Sequence, residues 1–169
     1  MSLQNEIIKF VMKYRRKTME KQDFDILDIR QKMDDLFVKT FITPWTVNVT
    51  PMTLAGVEAE IITPNELQRE DAIILYVHGG GYFMGNIDTH RPLAGWIVHE
   101  SGLPAITFNY RLAPENPFPA GRDDIIRVYS KLKEEYSTDR IILVGASAGG
   151  GLIMQALIAM KKLNITMRK

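Results

Sequence analysis

The sequence predicts an α/β protein whose core is a largely parallel sheet with helices on its faces. Three observations predict it. First, AIILYVH (72–78), PAITFNY (104–110) and RIILVG (140–145) are short, nearly continuous apolar runs, as expected of strands covered on both faces. Second, helical segments at about 89–101, 121–135 and 147–163 follow these runs in alternation, which implies right-handed crossovers and parallel strands. Third, glycine clusters at 79–81 and 145–151 fall at the carboxyl ends of two of the runs, where the sites of such sheets lie.

The elements follow in order. Ile7, Val11 and Tyr14 suggest a short first helix, and Ile26, Ile29, Met33, Leu36 and Phe37 recur at helical spacing as one apolar stripe. The two helices are expected to pack on the main body as a surface pair, or to form a mobile lid over it. Composition shifts near Pro44. TVNVT (46–50) and VEAEIIT (57–63) alternate about a Gly56 turn and predict a hairpin. The expected division is residues 1–41 for the helices and 42–169 for the main body. The Asp123 and Asp124 carboxylates are expected to cap the helix that begins near Gly121.

Composition excludes several function classes. The 169 residues carry a net charge of +1, which implies no nucleic-acid partner. The absence of cysteine removes disulfides, a thiol nucleophile and thiolate metal sites. No apolar run reaches the roughly eighteen residues of a membrane span, so stable membrane insertion is not expected. The charged N-terminus lacks a signal-peptide core, so the expected location is cytoplasmic.

Two motifs carry chemistry. In GASAG (145–149) a serine stands between a strand and a helix, so Ser147 is the candidate nucleophile, exposed at a helix N-terminus that favours a developing anion. A phosphate loop would need a lysine followed by Ser or Thr after the last glycine, where Leu152 follows Gly151 instead, and a dinucleotide fingerprint belongs on the first strand of its fold. In HGGGYFMG (78–85), Gly79, Gly80 and Gly81 form a loop whose N–H groups can converge on an oxyanion, with the N–H of Ala148 as a further donor. His78, at the root of the loop and upstream of the serine, is read as holding the loop and not as the catalytic base. His90 and His99 are read as surface or packing residues.

HGGG, YRLAPENPFPA (110–120) and GASAGG, in this order, resemble the hormone-sensitive-lipase family of α/β-hydrolases. The resemblance covers about residue 42 to the end and likens the N-terminal helices to that family's cap. It implies an α/β-hydrolase fold and a carboxylesterase or lipase using a Ser-Asp-His triad, with Ser147 as nucleophile and Gly80, Gly81 and Ala148 as oxyanion donors. It also implies that Arg111 and Glu115 support the site, that the substrate is a small acyl ester, and that no metal or organic cofactor is needed.

Two departures accompany it. The family usually has Asp where this chain has Ala146. From Ala148 to Lys169 there is no Asp, Glu or His, whereas the triad acid and histidine follow the serine in this fold. The chain is therefore expected to be the N-terminal part of the fold, inactive alone, and prone to self-association or to complementation by a C-terminal fragment. The alternative is a catalytically inactive binding or vestigial protein that keeps the pocket.

Overall fold

The computed structural model describes residues 25–66, 69, 71–136 and 140–163. The expected helix through Ile7, Val11 and Tyr14 lies outside them. The elements are α1 (Ile26–Thr40), β1 (Val47–Leu54), β2 (Val57–Pro64), β3 (Ile73–Val77), α2 (Ile87–Ser101), β4 (Ala105–Phe108), α3 (Ala120–Glu135), β5 (Ile141–Gly145) and α4 (Ala148–Lys162).

The strands form one sheet in the order β1-β2-β4-β3-β5. β3 pairs in parallel with both β4 and β5, while β2 runs antiparallel to β1 and β4. The β1–β2 hairpin turns on Ala55 and Gly56, both at positive φ (52° and 75°), the two-residue turn whose twist suits a hairpin. β1 runs on through Pro51, which pairs with Glu60. An edge strand tolerates a residue with no N–H to donate.

Side chains alternate across β3 and divide the core. Ile73, Leu75 and Val77 join Phe108, Ile125, Val128, Leu132 and Ile153 under α3 and α4. Ile74 and Tyr76 join Ile62, Ala94, Val98 and Ala105 under α2. β3 and β4 are buried throughout, as continuous apolar runs require. β5 departs from that reading: only Ile141 is buried, and Ile142 is 41% exposed. Among the described residues no strand pairs with its other edge.

α2 starts with a reciprocal cap. The Asn86 side chain accepts the Thr89 N–H, and the Thr89 hydroxyl accepts the Asn86 N–H. It ends at Gly102 in the left-handed region (φ 67°). α3 has no side-chain cap, which corrects the reading of Asp123 and Asp124. The helix starts at Ala120, so both residues lie inside it. Asp124, fully buried, instead accepts hydrogen bonds from Arg111 and Arg127. A second buried carboxylate, Glu60, is held by the Arg91 guanidinium at 2.8–3.0 Å.

α1 buries none of its residues. Its apolar stripe is half open: Ile26 and Leu36 are exposed (40% and 56%), while Ile29, Met33 and Phe37 are half-buried. What ties it down is polar: Arg30 forms a two-pronged pair with Glu115 at 2.7 and 2.8 Å, which holds the Glu115 carboxyl down at about 2. No described helix is long and apolar enough to cross a membrane.

Candidate active site

The parallel register of β3 and β5 sets Val77 beside Gly145, so the two strands end abreast. The glycine loop leaves one end and the serine turn leaves the other. Ala146 still donates its N–H to Val77 O at 3.1 Å, and the chain then turns at Ser147, which has φ 48° and ψ −114°. Positive φ in a non-glycine residue is strained and persists only where the surroundings enforce it. Here the N–H of Gly149 donates to Ala146 O at 2.8 Å, and the N–H of Gly150 donates to Ser147 O at 3.0 Å.

The flanking glycines have a steric cause. A Cβ on Gly145 would lie 2.5 Å from Gly150 N, and one on Gly149 would lie 2.1 Å from Val77 O. The turn closes only where both lack side chains. Ser147 ends up exposed, at the N-terminus of α4, and its side chain makes no capping hydrogen bond.

The glycine loop is as tightly determined. Gly80 and Gly81 have φ of 117° and 61°, and Gly80 O accepts the N–H groups of both Phe83 and Met84. A Cβ on Gly80 would lie 1.9 Å from Met84 O. Among the described residues, the N–H groups of Gly80, Gly81 and Ala148 meet no acceptor. Gly79 differs from the expectation that grouped it with the donors: its N–H is occupied, donating to His90 Nε2 at 3.1 Å.

That bond fixes the state of His90. Nε2 accepts, so Nδ1 carries the proton and lies 3.0 Å from Thr89 Oγ1. Burial pushes the ring's pKa down, with a smaller opposing effect from the Asn86 backbone. His78 is fully buried and stacks on Tyr110 at 4.1 Å between ring centroids. Its Nδ1–H donates to Gly79 O at 2.8 Å, and the Tyr110 hydroxyl donates to His78 O. Burial holds the His78 pKa at about 4. Nε2 of His78 is buried with no hydrogen-bond partner among the described residues. His99 lies at the far end of α2 and contacts Thr46.

Ser147, Ala146, Gly79, Gly80, His90 and Phe37 line one cavity of about 230 Å³. A wider apolar cavity of about 510 Å³, walled by Phe41, Ile42, Leu93 and Trp96, shares Phe37, Thr89 and His90 with it. Gly81 is exposed on the outer part of the loop, and Ala148 is buried in the first turn of α4. Arg111 and Glu115 are not in the Ser147 cavity: Arg111 lines a separate one of about 300 Å³ with Tyr82 and Tyr110, and Glu115 faces α1.

Sequence reasoning missed Asp34, Arg30 and Asn109. Asp34 accepts the Gly85 N–H at 3.0 Å and the Asn86 amide at 3.1 Å. Asn109 accepts the Ile87 N–H at 2.9 Å. None had a local signal, because their partners lie 22 to 85 residues away in the chain. Asn86 did have one: an Asn-x-x-Thr spacing ahead of a helix.

A strand-turn-helix carrying a strained serine, set beside a glycine loop at parallel strand ends, defines an α/β-hydrolase. The chain belongs to that family: the model of the alpha/beta hydrolase fold matches residues 74–168. It is 34% identical over 111 residues to an acetyl-hydrolase of Streptomyces hygroscopicus, covering 65% of this chain and 36% of that one. It superposes with a TM-score of 0.79 on an esterase/lipase from an uncultured bacterium, at 32% identity, covering 93% of this chain and 54% of that one. An esterase from the bacterial hormone-sensitive lipase family gives 0.78 at 33% identity, covering 90% and 51%. The chain thus spans about a third of the curated relative and about half of these solved structures.

Proposed function

We propose that this chain is the nucleophile-bearing part of a carboxylic ester hydrolase. Ser147 Oγ attacks the ester carbonyl carbon, and the carbonyl oxygen becomes an oxyanion. The free N–H groups of Gly80, Gly81 and Ala148 take up that charge, while Gly79 anchors the loop through His90. The alcohol leaves with a proton, and water releases the acid from the acyl-serine. The acyl group faces the apolar cavity beside Phe37. In this reading the segment through Phe41 is a cap and the segment from Ile42 belongs to the catalytic domain. The relatives' esterase and acetyl-hydrolase activities support the substrate class.

One observation supports the proposal most: the register of Val77 with Gly145 ends β3 and β5 abreast, so the glycine loop and the strained, exposed Ser147 leave the sheet side by side, and Gly80 lines the Ser147 cavity. Replacing Ser147 by Ala in the full-length protein should abolish cleavage of p-nitrophenyl acetate. Unchanged turnover in that variant would refute it.

The base is not His78, His90 or His99. His90 has its lone pair engaged by Gly79, His78 is sealed in the core, and His99 is remote. In this reading the base and its acid partner come from outside the described residues. The same observation favours a second reading, a pocket that binds acyl compounds without turnover. Saturable binding of a non-hydrolysable ester analogue, with no turnover in the full-length protein, would select it.

A further inference from the structure

Arg30 and Asp34 lie one helical turn apart on α1, and together they grip the outer arc of the glycine loop. Arg30 Nε donates to Phe83 O at 2.5 Å. Its Nη2 donates to Ala113 O at 2.7 Å, and Ala113 in turn donates its N–H to Tyr82 O. Asp34 uses both carboxylate oxygens, one on the Gly85 N–H and one on the Asn86 side chain. These contacts span 51 to 83 residues of sequence.

The gripped residues are those that fix the donor glycines. Gly80 O is held by the N–H groups of Phe83 and Met84, and the space beside Gly80 is filled by Met84 O. Moving Phe83 or Gly85 therefore turns the Gly80 and Gly81 peptide planes. α1 itself buries no residue fully, and of its apolar stripe only Ile29, Met33 and Phe37 are half-buried, so its polar bonds are a substantial part of its attachment. The loop is thus held along its length: His78 and His90 at its root on Gly79, Arg30 on Phe83, and Asp34 at its end on Gly85.

We infer that Arg30 and Asp34 are positioning residues that hold the Gly80–Gly81 donors on the oxyanion, which makes α1 a clamp on the site. This rests on the esterase reading. Asp34 lines the Ser147 cavity, but both its oxygens are spent on Gly85 and Asn86, and Arg30 lies outside that cavity. Losing the clamp weakens donation to a charge that exists only in the transition state, so kcat falls while KM stays.

The test uses the full-length protein with Asp34→Ala, Asp34→Asn, Arg30→Ala and Arg30→Lys. Amide hydrogen exchange is followed by mass spectrometry, and turnover is measured on p-nitrophenyl acetate, whose acyl group is too short to depend on the wider apolar cavity. Asp34→Ala should speed exchange at residues 80–86 while protection of β3, β4 and β5 is unchanged. Its kcat should fall at least about tenfold with KM within about threefold. Asp34→Asn keeps an acceptor for the Gly85 N–H and should recover most of the rate. Arg30→Ala should behave like Asp34→Ala, with partial recovery in Arg30→Lys. If exchange at 80–86 and kcat are both unchanged in the alanine variants, the inference is overturned. A loss of protection throughout the sheet, with no recovery in the conservative variants, also overturns it. If the loop loosens as described but wild-type protein cleaves no ester, the clamp stands and the esterase reading fails.

Discussion

The Gly79 N–H donates to His90 Nε2 across 3.1 Å. The nitrogen a general base would need is thus already an acceptor, and the ring serves as a post for the glycine loop. His90→Gln, which can offer an oxygen to the same N–H, should keep kcat within about tenfold of wild type. His90→Ala should lose more, through the loop. Removing a general base typically costs about 10²–10⁴ in rate. A collapse in His90→Gln as deep as that in Ser147→Ala would make His90 the base.

Gly80→Ala should disable the donors. The new methyl would meet Met84 O at 1.9 Å, and φ of 117° is foreign to alanine, so the loop must rearrange. One oxyanion donor contributes about 3 kcal/mol, so kcat should fall on the order of a hundredfold or more. Gly56→Ala is the control. It sits at φ 75° with nothing within 4 Å, so it should cost about 1–2 kcal/mol of stability and leave kcat unchanged. Equal loss of kcat in both variants would mean that instability, not the site, is being measured.

His78 should make the fold acid-sensitive. Burial holds its folded pKa at about 4, with neighbouring His90 also lowering it. An unfolded histidine titrates near 6.5. The unfolded state therefore binds the extra proton first, and stability is lost as pH falls from about 6.5 towards 4. The full loss is about 3 kcal/mol from this residue. Urea unfolding between pH 8 and 4.5 should show that slope, and His78→Asn should flatten it. A slope of the same size in the variant would assign the effect elsewhere.

Glu60 and Arg91 should behave as a buried pair. Removing Arg91 leaves a nearly fully buried carboxylate uncompensated, which typically costs roughly 3–5 kcal/mol. Burial already pushes the Glu60 pKa up, with Arg91 opposing it. In Arg91→Ala the carboxyl protonates at still higher pH, so the deficit relative to wild type should shrink as pH falls from 8 to 5. A deficit independent of pH would show that lost packing, and not charge, is responsible.

The legible parts of this structure are those with a local cause. The run at 72–78 showed β3 because both faces of that strand are covered. The glycines around Ser147 were legible because a strand-turn-helix leaves no room for side chains there. The sheet order was not, since nothing near Val57 says that β2 pairs antiparallel with β4. The apolar stripe of α1 pointed to a packed helix, but the stripe stays half open and Arg30 and Asp34 fasten the helix instead. Polar contacts made across more than fifty residues leave no periodicity to read. The Gly79 N–H departs from its expected donor role for a different reason: its acceptor is a helix side chain only eleven residues on, which nothing in the glycine run itself signals.

Covalent capture tests the central claim most directly. Full-length protein should be treated with a p-nitrophenyl alkylphosphonate, digested and mapped by mass spectrometry. The account predicts one adduct, on the Ser147 hydroxyl, formed at the rate at which activity is lost and absent from Ser147→Ala. Loss of activity with the adduct on another residue, or with no adduct at Ser147, would contradict it.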